Sequence, residues 1–122
     1  ISEIFSVEDL IPSAGQGVIS LQCRDNDEET ISLLKNTNHK ETYQRVSAER
    51  NVLKVLEGDC ETAVGAHALV NENIITLEAE LFSLDGTKRF YEKKSSEVKD
   101  AKKLGQEVGK ILKLKSNNTY KK

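Results

Sequence analysis

The chain has 122 residues, of which 37% are hydrophobic and 31% charged, and its formal net charge is −2. This length and composition suit one domain of ordinary size with a modest core, and the balanced charge indicates no nucleic-acid partner. No apolar run approaches the ~20 residues needed to cross a bilayer, and the first residues lack the features of a signal peptide. We therefore expect no membrane partner and a cytoplasmic location. The first residue is Ile1 and not Met, which indicates a processed product or a piece of a longer protein.

A turn-rich segment opens the chain and leads into a short strand. Two glycines and the chain's single proline lie in Ile11-Pro12-Ser13-Ala14-Gly15-Gln16-Gly17, which predicts irregular, tightly turning backbone. Residues 18–24 then alternate apolar and polar side chains, the pattern of a strand. The nearest candidate partner strand begins more than forty residues later, at Gly65, so we expect an orphan strand.

A short helix is predicted next. Either Asp25 or Asn26 can serve as its N-cap, and the acidic residues that follow suit the positive end of the helix dipole. Its predicted buried side consists of Ile31, Leu33 and Leu34.

A long amphipathic helix follows and extends to about Leu56. It begins at Asn38-His39-Lys40-Glu41, which has the form of a capping box. We expect Gly58 to end the helix in the left-handed conformation. The predicted apolar stripe comprises Val46, Ala48, Val52, Leu53, Val55 and Leu56.

Three strands are predicted in the second half of the chain, at residues 65–70, 74–84 and 87–93. Asn71-Glu72-Asn73 and Asp85-Gly86 are connections of the kind that join antiparallel hairpins.

A last helix is predicted after Ser95 or Ser96, either of which can cap it. Gly105 and Gly109 inside it each cost ~1 kcal/mol of helix stability relative to Ala, so we expect close packing of this helix on the sheet in return. The polar residues 116–122 are expected to be a flexible tail. The predicted apolar side comprises Val98, Ala101, Leu104, Gly105, Val108, Ile111 and Leu112.

These elements predict an α+β fold, with a three-stranded antiparallel sheet and helices packed on one face of it. An N-terminal extension containing the orphan strand and the short helix precedes this unit. The predicted boundaries are residues 1–37 for the extension, 38–115 for the compact domain and 116–122 for the tail.

A cysteine, Cys60, lies on the predicted connection between the long helix and the first strand of the sheet, with glycines at Gly58 and Gly65 on either side. A thiol held on a loop between rigid elements is positioned for chemistry. It follows a helix C-terminus, where the dipole disfavours a thiolate, which argues against a redox sensor or a general nucleophile.

The segment around this cysteine resembles the cofactor-attachment loop of the porphobilinogen deaminases (hydroxymethylbilane synthases), which usually runs Leu-x-Gly-Gly-Cys-x-x-Pro-Ile-Gly. Here Asp59 replaces the second glycine and Ala63-Val64 replaces the proline–isoleucine pair. Further segments resemble the family in the same order along the chain. They are the run ending in Gly15-Gln16-Gly17, then Gln22-Cys23-Arg24, Asn38-His39 with Glu41, and Ala48-Glu49-Arg50.

The resemblance implies the C-terminal part of a three-domain enzyme: the end of domain two, a strand returning to domain one, and all of domain three. The family condenses four porphobilinogen molecules into hydroxymethylbilane in tetrapyrrole (heme and porphyrin) biosynthesis. The product grows on a dipyrromethane primer bonded to the loop cysteine, here Cys60. Gln16 is implied to contact the primer, with Gly15 and Gly17 letting backbone approach it. The family's catalytic aspartate and clamping arginines lie in domains one and two, so the resemblance implies no catalytic residue here and an inactive fragment.

The sequence also allows a metal site and a different function to be considered. The side chains that could bind a metal ion through a thiol or an imidazole are Cys23, His39, Cys60 and His67. Their spacing follows no close-pair pattern, so we expect no metal site and two free thiols, with one disulfide as the alternative. The alternative function is a small non-catalytic binding module that docks through the exposed strand, and the same strand would allow a dimer.

Overall fold

The computed structural model describes residues 1–57 and 62–122. Its elements are α1 (Glu28–Thr37), α2 (Lys40–Leu56), β1 (Val64–Asn71), β2 (Ile74–Phe82), β3 (Arg89–Glu97), a 3₁₀ helix (Val98–Asp100) and α3 (Ala101–Ser116). The strands form one antiparallel sheet in the order β1-β2-β3, and α2 and α3 pack together on one face of it. The predicted α+β fold class is confirmed. Within the described ranges, no helix has the length and apolar character needed to cross a membrane.

The core lies between the sheet and the two long helices, and the period of two along the strands builds it. In the antiparallel register Ala66 lies opposite Ala79, and Ala68 lies opposite Leu77, so these side chains share the face that the helices cover. The fully buried apolar side chains are Ala48, Val52 and Leu56 of α2, Ala68 of β1, Ile75, Leu77, Ala79 and Leu81 of β2, and Val108 and Leu112 of α3.

Two glycines of α3 allow its close contact with α2. A Cβ added to Gly105 would overlap the carbonyl oxygen of Ala48, and one added to Gly109 would lie 2.8 Å from the Cβ of Val55. The prediction that these glycines pack closely on the sheet is therefore wrong, because they face α2. Other parts of α3 contact β2 and β3.

The third strand is longer than predicted and takes in both of the proposed caps. Ser95 and Ser96 pair with Thr76 and Ile75 of β2, and the hydroxyls of Thr76 and Ser95 lie 2.8 Å apart. Cross-strand pairing outcompetes capping here because β2 presents unpaired backbone as far as Ile74. The helix therefore starts only at Ala101, after the 3₁₀ turn.

The N-caps of the first two helices lie one residue or more after the predicted positions. Asp27, and not Asp25 or Asn26, caps α1, and its carboxylate accepts from the Thr30 N–H at 3.0 Å. His39, and not Asn38, caps α2 by accepting from the Thr42 N–H at 3.3 Å. In each case a side-chain acceptor three residues before the donor reaches an N–H of the first turn.

The N-terminal extension forms no strand ladder among the described residues. Residues 18–24 have no hydrogen-bonded neighbour strand there, as expected for a segment whose partner sheet is not part of this chain, and its pairing stays a prediction. The predicted buried side of α1 is wrong, because no residue of α1 is buried and Leu33 is 63% exposed.

The C-terminal residues are not a free tail. Tyr120 is only 1% exposed, and its hydroxyl donates to the carbonyl oxygen of Leu56 at 2.8 Å. The Leu84 N–H donates to the carbonyl oxygen of Thr119, also at 2.8 Å. The expectation of a flexible segment is therefore wrong as far as Tyr120, because one aromatic ring anchors an otherwise polar sequence.

Candidate functional site

The cysteine of interest, Cys60, and the predicted helix-ending Gly58 lie outside the described residues. The structure does describe the two ends of the backbone that carry them. On one side α2 ends at Leu56, and Glu57 takes the left-handed conformation with φ of 52°, donating its N–H to the Leu53 carbonyl at 3.0 Å. On the other side β1 begins at Val64.

Side chains from α3 and the C-terminus hold the end of α2. Lys113 Nζ donates to Glu57 Oε2 at 3.1 Å and to the Val55 carbonyl oxygen at 3.4 Å. This hydrogen bond from Lys113 lowers the pKa of the Glu57 carboxyl, and the charges of Lys113 and Lys121 lower it further. A lysine near the last carbonyls of a helix also complements the negative end of its dipole. The backbone that enters the cysteine segment is thus fastened to α3.

The Gly15-Gln16-Gly17 segment forms two successive tight turns. Gln16 donates its N–H to the Ser13 carbonyl at 3.0 Å, and Val18 donates to the Gly15 carbonyl at 3.1 Å. The third residue of each turn is a glycine with φ of +76°, as a type II turn requires. A Cβ at either glycine would meet nothing within 4 Å. Backbone conformation, and not lack of space, is what calls for glycine here.

These turns lie beside the start of β1, where the chain leaves the cysteine segment. The Ala66 N–H donates to the carbonyl oxygen of Pro12 at 2.9 Å. A Cβ on Gly65 would lie 2.6 Å from the Ile11 carbonyl oxygen, so that glycine permits the close approach. The structure therefore brings the predicted site residues Gly15, Gln16 and Gly17 next to one end of the segment that contains Cys60.

The exposed side chain of Gln16 borders a small cavity of about 140 Å³ between the turns, α2 and β1. The cavity has basic and polar groups in its wall as well as apolar ones. Its lining includes Pro12, Gln16, Thr42, Arg45, Glu49 and His67.

Glu49 has a structural role that none of the sequence patterns predicts. This residue belongs to the Ala48-Glu49-Arg50 segment, yet its carboxylate is buried, with only 5% of the residue exposed. It accepts from the Gly15 N–H at 2.8 Å and from the Ala68 N–H at 2.9 Å. A usable signal was present, because an acidic residue three positions before Val52 lies on the helix's apolar stripe.

The candidate metal-ligating residues are placed in different surroundings. His39 caps α2, with its Nδ1 2.8 Å from the Thr42 hydroxyl, whereas His67 lies on β1 with its Nδ1 3.9 Å from Glu78 Oε1. Cys23 is half-buried beside a separate groove formed by residues 18–23, α1 and α2. Among residues 1–57 and 62–122, no three His, Cys, Asp or Glu side chains form a group that could hold a metal ion.

Comparison with known proteins places this architecture in a family. Residues 43–114, which include most of α2, the sheet and most of α3, match the C-terminal domain of porphobilinogen deaminase. This chain belongs to the porphobilinogen deaminase family.

Full-length relatives show how much of a porphobilinogen deaminase this chain represents. The porphobilinogen deaminase of Desulforamulus reducens is 42% identical over 112 residues, covering 92% of this chain and 36% of that protein. Those of Brevibacillus brevis and Chloroherpeton thalassium are 41% and 38% identical, and 36% of each is covered. The chain thus spans about a third of the length of the curated relatives it matches.

Proposed function

We propose that this chain serves as the C-terminal part of a hydroxymethylbilane synthase, a cytoplasmic transferase of tetrapyrrole and heme biosynthesis. That activity condenses four porphobilinogen molecules, with loss of ammonia, into hydroxymethylbilane. The observation that carries the proposal is the match of residues 43–114 to the C-terminal domain of the family.

Cys60 is proposed to hold a dipyrromethane primer through a thioether. Porphobilinogen that has lost ammonia is a methylene-pyrrolenine, a soft carbon electrophile for which a thiol is a suitable nucleophile. The sulfur bonds to the methylene carbon, and the thiol proton ends on the ring nitrogen. When bound, the primer supplies the pyrrole carbon to which the next ring is added.

The described residues suit such a group chemically. Gln16 offers an exposed amide that can both donate and accept hydrogen bonds, and the backbone at Gly15 and Gly17 is open to approach. Arg45 lines the same cavity and brings positive charge, which suits the acetate and propionate groups of pyrroles. We propose these residues as primer contacts and assign no catalytic residue to this chain.

The test is attachment of the primer within a complete three-domain protein. The chain would be fused to the first two domains of the Desulforamulus reducens relative, with Cys60→Ser and Cys23→Ser as matched variants. We expect an Ehrlich-reactive adduct, seen as a mass increase, that Cys60→Ser abolishes and Cys23→Ser leaves unchanged.

An adduct that persists in Cys60→Ser would refute the attachment site. A folded fusion that carries no adduct would instead favour the alternative function, a non-catalytic module that docks through residues 18–24. That segment exposes Val18, Ile19 and Leu21, with Ile19 at 89%.

A further inference from the structure

Two side chains of α2 satisfy the backbone of Ala68 on β1, an outer strand of the sheet. Arg45 Nε donates to the Ala68 carbonyl oxygen at 2.6 Å, and Glu49 Oε1 accepts from the Ala68 N–H at 2.9 Å. One turn of helix thus presents a donor and an acceptor at the spacing that a neighbouring strand would use. The second oxygen of Glu49 accepts from the Gly15 N–H at 2.8 Å, so one carboxylate joins two segments that are far apart in the sequence.

The chemistry of this junction requires a carboxylate. Both of its oxygens accept hydrogen bonds, whereas a glutamine offers one acceptor oxygen and one NH₂ group that only donates. In glutamine the NH₂ group would face a backbone N–H, and that buried N–H would be left without an acceptor. Among the described residues, no Lys, Arg or His lies within ion-pair distance of Glu49, so the backbone amides are the described partners of its carboxylate.

We propose that Glu49 is a positioning residue, whose two-sided acceptor holds the turns at Gly15-Gln16-Gly17 against β1 and so sets the place of Gln16. The inference rests on the proposed function only in one respect, that Gln16 contacts the primer. The hydrogen bonds of Glu49 to Gly15 and Ala68 belong to this chain whatever its function. Without Glu49, the hydrogen bond from the Ala66 N–H to the Pro12 carbonyl still holds the segment to β1. Pro12 lies before the two turns, so this bond does not fix the position of Gln16.

The junction can be measured by NMR without reference to activity. We expect a scalar coupling across the hydrogen bond between the Gly15 amide nitrogen and the Glu49 carboxyl carbon in the wild-type chain. In Glu49→Gln, amide exchange at Gly15 or Ala68 should be at least tenfold faster, while Glu29→Gln, the same charge change on exposed α1, leaves both rates unchanged. No coupling in the wild type, or unchanged exchange at both amides in Glu49→Gln, would overturn the proposal. If Glu49→Gln fails to fold, the coupling in the wild-type chain alone shows whether the Gly15–Glu49 hydrogen bond exists.

The positioning role is tested by a double-mutant cycle in the fused enzyme. Glu49→Gln and Gln16→Ala should each lower the fraction of protein carrying the adduct, and the double variant should be no worse than Gln16→Ala alone. Fully additive losses would show that Glu49 acts through something other than Gln16. If the wild-type fusion forms no adduct, the proposed function fails, and the NMR result still decides whether the junction exists.

Discussion

At the scale of single residues, polar side chains join distant segments of this domain through hydrogen bonds to the backbone. Glu49, Arg45 and Tyr120 each reach backbone groups of a distant segment, at Ala68, Gly15 or Leu56. Each such partner is fixed by tertiary geometry, because a side chain can satisfy only the backbone group that folding brings to it. Sequence patterns therefore located these residues on their helices or in a tail but assigned them no role.

Tyr120 provides a direct measure of how far the C-terminus stabilises the end of α2. Removing its hydroxyl in Tyr120→Phe leaves the hydrogen bond to the Leu56 carbonyl unmade, and we expect a loss of about 1–2 kcal/mol in the free energy of unfolding. Tyr120→Ala should cost about 3–5 kcal/mol because it also empties a buried site. Urea denaturation measures both.

Tyr43→Phe is the matched control for the hydroxyl, since Tyr43 is 67% exposed. Equal stabilities for the two Tyr→Phe variants would show that the hydrogen bond from Tyr120 to Leu56 contributes nothing. Burial raises the pKa of Tyr120 above its ordinary 10.0. The stability that depends on its neutral form should therefore be complete below pH 10.0 and be lost as the pH rises from there through the raised pKa.

At the scale of elements, the sheet and the long helices follow from hydrophobic periodicity, whereas their ends do not. The apolar residues that alternate from Ile75 to Leu81 are buried, and so are the residues of the predicted apolar side of α3 apart from Ile111. The end of β3 and the caps at Asp27 and His39 were decided by competition between local hydrogen bonds and neighbouring strands or turns. Such competition involves energies of about 1 kcal/mol, which a pattern of residue types does not resolve.

The α2–α3 contact predicts that alanine is unfavourable at both helical glycines. At Gly105 the added methyl group meets the backbone of Ala48, which cannot move aside easily. Overpacking should lower the free energy of unfolding by about 1–3 kcal/mol, which exceeds the ~1 kcal/mol gained in helix propensity. At Gly109 the nearest atom is the side-chain Cβ of Val55, so a smaller loss is expected. Thermal or urea denaturation gives the order of stabilities.

Lys102→Ala, on the exposed side of α3, serves as the control for the substitution to alanine. A stabilised Gly105→Ala would mean that helix propensity outweighs packing and that the two helices are not in close contact there.

At the scale of the whole molecule, the chain combines a well-packed domain with an extension that buries little. Eight of the fourteen exposed large hydrophobic side chains among the described residues precede α2, from Ile1 to Leu33. Exposed apolar surface of this kind commonly marks an interface. It fits the proposal that further domains cover the extension, and a dimer through residues 18–24 stays a prediction.

The isolated chain is expected not to turn over porphobilinogen, because the resemblance assigns the catalytic aspartate and the clamping arginines to the other domains. Consumption of porphobilinogen by the purified polypeptide is the measurement, and the fused protein is the positive control. Measurable turnover by the chain alone would refute the fragment interpretation, and it would require a catalytic group within these 122 residues.

The sequence by itself determined the fold class, the order of the main elements and the membership of the family. These features follow from local periodicity and from short runs of specific residues, which can be recognised without coordinates. Only the tertiary structure decided that Glu49 joins Gly15 to β1 and that Tyr120 anchors the C-terminus. The physical reason is that each depends on a partner remote in the sequence, and a hydrogen bond exists only where folding supplies both of its ends.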